Sequence, residues 1–168
     1  MNGLNQVCAA VLESLRAAGL TAVAAYDGAA KRYGGPVVAA GVESIQGQPA
    51  GLGGYLGQRR DSKTGAAREV YGMQMDVTVS LEVRAPDAAG CEDAMETAVG
   101  VMMEGLPAGL RPGEMNWKGI SWDRANGMFL RTGTVRCRAA FTAEAADEDG
   151  VLLDFILKGT VKSEYNEA

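Results

Sequence analysis

A chain of 168 residues, 47% hydrophobic and 22% charged, has an ordinary globular balance and can bury a core without disulfide or metal staples. Its net charge of −5 argues against a duplex-DNA-binding module, which carries a basic face against phosphates. The sequence has no histidine, which removes Ser-His-Asp and Cys-His catalysis and most zinc sites.

The length favours one domain over residues 1–168. No basic stretch followed by an apolar run opens the chain, so no signal peptide is expected. The apolar runs are too short to span a bilayer, and no fixed-period repeat is visible. A soluble protein without a membrane partner is the expectation. Cys8, Cys91 and Cys137 are odd in number and far apart in sequence; they read as small buried hydrophobes kept reduced, not as a metal or redox motif.

Leu4, Val7, Cys8, Val11, Leu12 and Leu15 recur at helical spacing, predicting a helix over about 3–17 that Gly19 ends. Residues 21–26 and 36–45 follow as two candidate strands, with Asp27-Gly28 as a turn between them. Residues 46–68 differ in kind, with glycines at 47, 51, 53, 54, 57 and 65 and polar residues between. Such a segment buries little apolar area, and it reads as a long flexible loop joining two strands.

From Tyr71 to Val83 apolar side chains hold every odd position and polar ones or Gly72 every even position. That alternation predicts a half-buried antiparallel strand. Pro86-Asp87 then opens a second helix, with Asp87 as N-cap and an apolar stripe from Cys91 to Leu106, ended by Gly105 and Pro107. Glu114 to Asp123, carrying Trp117 and Trp122, reads as a strand, and Asn126-Gly127 as a hairpin turn. Phe129 to Ala143 alternates as a further strand, with Leu130 out of phase, for which a bulge near Gly133 would account. Val151 to Val161 reads as a last strand with apolar groups on both faces, a strand that must be covered twice. Leu153, Phe155, Ile156 and Leu157 are therefore candidates for a subunit interface. Together these elements predict an α+β fold, an antiparallel β-sheet packed against two α-helices.

No catalytic constellation can be assembled. The glycine run at 51–57 lacks the following helix of a dinucleotide fingerprint, and Ser62-Lys63-Thr64-Gly65 is not a P-loop. Glu92, Asp93 and Glu96 read as a solvated first turn of a helix, and the acidic run at 147–149 lacks calcium-loop spacing. No cofactor or metal is expected. Arg59, Arg60, Lys63 and Arg68 place four cations in the 46–68 segment of an acidic protein. They are either a solvated loop or a contact for an acidic partner surface or a nucleic-acid backbone.

The layout resembles the tail terminator proteins of long-tailed phages and of contractile phage-tail-like particles. An N-terminal amphipathic helix (Leu4 to Leu15) precedes an extended strand, and a long loop (Gly47 to Ala67) leads into the alternating strand Tyr71-Gly72-Met73-Gln74-Met75-Asp76-Val77-Thr78-Val79. A Pro-Asp-opened helix then ends in Gly105-Leu106-Pro107, before a long hairpin. The second half, Arg124 to Ala168, is longer than a minimal version needs. The resemblance implies a virion or tail-particle protein, made in the host cytoplasm, that forms a ring of its own copies, usually a hexamer. Such a ring caps the last ring of tail tube protein and joins a head connector or sheath, with DNA only as passing cargo. The resemblance also implies that the 46–68 loop reaches toward the tube or lines the lumen. Two other readings remain beside it. A small-molecule or peptide-binding module would use the Met and Trp side chains to line a pocket. An enzyme would have to work through the loop cations and a carboxylate.

Overall fold

The computed structural model of the chain describes residues 3–27, 33–107, 109–145 and 152–156. Helix α1 spans Gly3–Ala17, and its apolar stripe turns Val7, Val11, Leu12 and Leu15 inward. Its end is a Schellman motif: Gly19, at φ 87, donates to Arg16 O, and Leu20 donates to Leu15 O. The Arg16 guanidinium then donates twice to Ala22 O, at 3.0 and 2.9 Å, tying the helix end to the next strand.

Eight strands are described: β1 Thr21–Val23, β2 Val37–Pro49, β3 Tyr55–Arg60, β4 Ala67–Ala85, β5 Leu110–Trp117, β6 Ser121–Asp123, β7 Met128–Ala145 and β8 Leu152–Ile156. They form one sheet with the path β1-β2-β4-β7-β5; β3 joins β4, while β6 and β8 join β7. All pairings are antiparallel except β1 with β2, which is parallel. A parallel pair needs a crossover connection, and residues 24–36 supply it.

The long strands β4 and β7 form the axis, in unbroken register from Glu69 opposite Ala145 to Ala85 opposite Phe129. Strict alternation puts Val77, Val79, Leu81 and Val83 of β4 and Val135, Cys137, Ala139 and Phe141 of β7 on one face, all buried. Residues of α1 share that core, as do Cys91, Ala94 and Ala98 of helix α2, Ala88–Gly100. Asp87 caps α2 by accepting from the Gly90 N–H at 2.7 Å. The helix runs on as a π-helical stretch, Val101–Gly105, which buries Val101 and Met102. An ion pair between Arg131 of β7 and Glu92 fastens α2 to the sheet.

Three expectations need correction. Residues 46–68 are not an irregular loop: β2 runs on to Pro49, a short 3₁₀ turn covers Leu52–Gly54, and β3 pairs with β4. Backbone pairing with β4 holds this segment where apolar burial cannot. No bulge interrupts β7 at Gly133 against β4; the register shifts lie in the pairings of β2 and β3 with β4 and of β5 and β8 with β7 instead. Leu130 stands on the opposite face, across from Arg84, where Val37, Ala39 and Met128 are also buried. That end of the back face is covered rather than wet, so an apolar residue there breaks no rule. Finally, the strand expected over Glu114 to Asp123 is two short strands, β5 and β6, both on β7.

Candidate interaction surfaces

The buried residues of β4 on the core face begin at Val77. Toward its start, Met75 and Tyr71 are half-buried and Met73 is exposed. Here β3 and the turn before it lie alongside and form a distal arm. Leu52 is 94% exposed, and Tyr55, Leu56 and Met73 are exposed at 43%, 49% and 37%. The arm is nonetheless organised. Leu56 lies over Gly72, where a Cβ would stand 2.5 Å from Leu56 Cδ1, and Tyr55 meets Tyr71 edge-on at 5.6 Å. The Tyr71 hydroxyl donates to Glu69 Oε2 at 2.6 Å, which pushes the phenol above its ordinary range.

The cations singled out from sequence fall on this arm. Arg59 and Arg60 lie on β3, Lys63 in the turn and Arg68 on β4, and all four are exposed. Arg59 stands directly opposite Arg68, whereas Arg60 pairs with Ala67. Alternation therefore puts Arg59 and Arg68 on one side of the ribbon and Arg60 on the other. The turn is set by Asp61, whose carboxylate accepts from the Lys63 and Thr64 N–H groups at 2.7 and 3.2 Å; these bonds hold its pKa below the usual value.

The candidate interface residues Leu153, Phe155 and Ile156 lie on β8, which pairs with β7 between Thr142 and Ala145. Leu157 lies outside the described residues.

A buried charge that sequence reasoning missed is Arg84, 9% exposed. Its guanidinium lies 4.3 Å over the Tyr26 ring and donates to Glu82 Oε2 at 2.6 Å and to Asp123 Oδ2 at 3.4 Å. Asp123 also accepts from the Asn126 side-chain amide at 2.7 Å and from the N–H groups of Ala125 and Asn126. Those bonds, the Asn126 amide foremost, lower its pKa. Tyr26 reaches on to Met128 Sδ through its hydroxyl. With both carboxylates engaged, the cluster clamps the crossover and the β6–β7 turn to the sheet. The signal available in sequence was an arginine at a strand end whose register no single chain segment reveals.

Burial pushes all three thiols above their ordinary pKa, and Cys8 and Cys91 donate to Ala40 O and Val83 O. Thiols held protonated in this way are poor nucleophiles. Among the described residues no three His, Cys, Asp or Glu side chains converge as a metal site. Among the described residues no helix is long and apolar enough to cross a membrane. Neither a protein-family model nor a curated protein matches this chain.

Proposed function

We propose that the protein is a structural assembly subunit of the tail-terminator kind, an α+β domain with two helices layered on one face of its sheet. Copies of it close into a ring that caps a tail tube and meets the head connector. The observation that carries this reading is the distal arm. It presents Leu52, Tyr55, Leu56 and Met73 to solvent from a hydrogen-bonded ribbon. Tyr55 and Met73 lie on one side of that ribbon and Leu56, over Gly72, on the other; exposed large apolar side chains on both sides suit an arm enclosed by a protein partner. Pairing with β4 gives the arm the rigidity that a contact of fixed geometry requires. The adjoining cations Arg59, Arg60, Lys63 and Arg68 suit an acidic neighbour. In this reading the arm reaches toward the tube protein, and β8 lies near a subunit contact.

The test is the mass of the purified protein by light scattering on a sizing column, followed by negative-stain imaging with and without tail tubes. The expected result is a closed ring of about six copies, free or at tube ends. A protein that stays monomeric and never decorates tubes would sink the proposal.

A further inference from the structure

We infer that neighbouring copies dock head to tail, the uncovered arginine face of one sheet on the acidic helix stripe of the next. This inference rests on the ring reading and specifies its contact. On the face away from the core, the cross-strand register aligns Arg111, Arg138, Asp76 and Gln46 in one row. Arg136 stands one pleat further along β7, on the same face. The three arginines are exposed. Arg138 pairs with Asp76 at 3.0 Å, but Arg111 and Arg136 have no ion-pair partner among the described residues. Glu114 falls in the bulged stretch of β5 between Pro112 and Met115. Like charges directly opposite one another across strands, as Arg111 and Arg138 are, weaken a sheet. An anionic partner would relieve that repulsion.

The complementary surface is on the same molecule. Residues 88–105 hold four carboxylates, those of Glu92, Asp93, Glu96 and Glu104, and no lysine or arginine. Glu92 faces Arg131, while Asp93, Glu96 and Glu104 are exposed. The helix layer and the arginine face lie on opposite sides of the sheet. Surfaces so placed cannot meet each other across a two-fold axis; they meet in a heterologous contact, which closes into a ring when the rotation per copy allows. A two-fold contact of either surface with itself would set like charges together.

Arg111→Glu/Arg136→Glu and Asp93→Arg/Glu96→Arg test this, with circular dichroism and thermal melting verifying the fold of each. In light scattering, each variant is expected to fall from the assembly mass to the 17.5 kDa monomer, and the fourfold variant to regain the assembly. Wild-type assembly is expected to dissociate between about 0.05 and about 0.5 M salt, as the screening length falls from roughly 14 to roughly 4 Å. If both pairwise variants keep the wild-type mass, or the folded fourfold variant stays monomeric, this contact is wrong and the ring stands. If wild type never assembles, alone or on tubes, the ring reading itself fails.

Discussion

A Cβ at Gly133 would stand 2.4 Å from the Trp117 indole, which lies flat over this buried glycine of β7. The indole N–H finds no acceptor among the described residues, so packing over the glycine, not a hydrogen bond, holds the ring. Gly133→Val is expected to cost about 1–3 kcal/mol by overpacking, read as a lower urea midpoint with altered tryptophan fluorescence. Two leucines make a sharper contrast. Leu15 is fully buried and Leu52 is 94% exposed. Leu15→Ala should lose about 2–5 kcal/mol, whereas Leu52→Asp should shift stability by less than about 0.5 kcal/mol. In the proposed function Leu52→Asp instead abolishes the decoration of tube ends seen by negative stain. Asp123 gives a pH signature. Its carboxyl is held below the usual value chiefly by the Asn126 amide. A carboxyl with a lower pKa folded than unfolded stabilises the fold where it is ionised in both states, and loses that contribution as pH falls through the folded value. The stability difference between wild type and Asp123→Asn should therefore be constant above about pH 5 and shrink below about pH 4, as chemical denaturation at several pH values would record.

At the scale of elements, α2 depends on its cap: Asp87→Ala should cost about 1 kcal/mol, measured as a thermal shift with α2 amides exchanging faster. This cap was legible because it is local, a Pro-Asp pair ahead of an apolar stripe. Helix α1 and the alternation of β4 were legible for the same reason, since 3.6-residue and two-residue periods report on one face of one element. The arm was not. Its glycines and charges look like a loop because no period marks a ribbon that has a wet face and whose stabilising hydrogen bonds reach a strand elsewhere in the chain. Leu130 misled in the opposite way. Its phase was correct for a back face covered at that end, where Tyr26 meets Arg84 and Met128, contacts between distant parts of the sequence. The four cations were found by composition. That Arg59 and Arg68 share a side while Arg60 does not follows only from the register.

For the whole molecule, the net charge of −5 conceals a division between the acidic stripe on α2 and the row of arginines behind the sheet. Sequence reasoning saw Glu92, Asp93 and Glu96 as a solvated helix turn and did not single out Arg111, Arg136 and Arg138. The three arginines share a face only when β5 pairs with β7 in the observed register. Composition reports a sum, and assembly depends on how the sum is distributed in space.

The pairing of β4 with β7 also governs how the chain must fold. Ala85 meets Phe129 at one end and Glu69 meets Ala145 at the other, with α2, β5 and β6 in the intervening chain. Closing so large a loop places the protein among the slow, non-local folders. During synthesis β4 emerges well before its partner. Until Ala145 has left the ribosome, one long edge of β4 offers unpaired amides and carbonyls beside an apolar face, the arrangement most prone to pairing with another chain. A protein whose proposed work is association thus passes through a nascent state that is itself adhesive. Its yield in a host cell is expected to depend on how quickly β7 arrives to cover that edge.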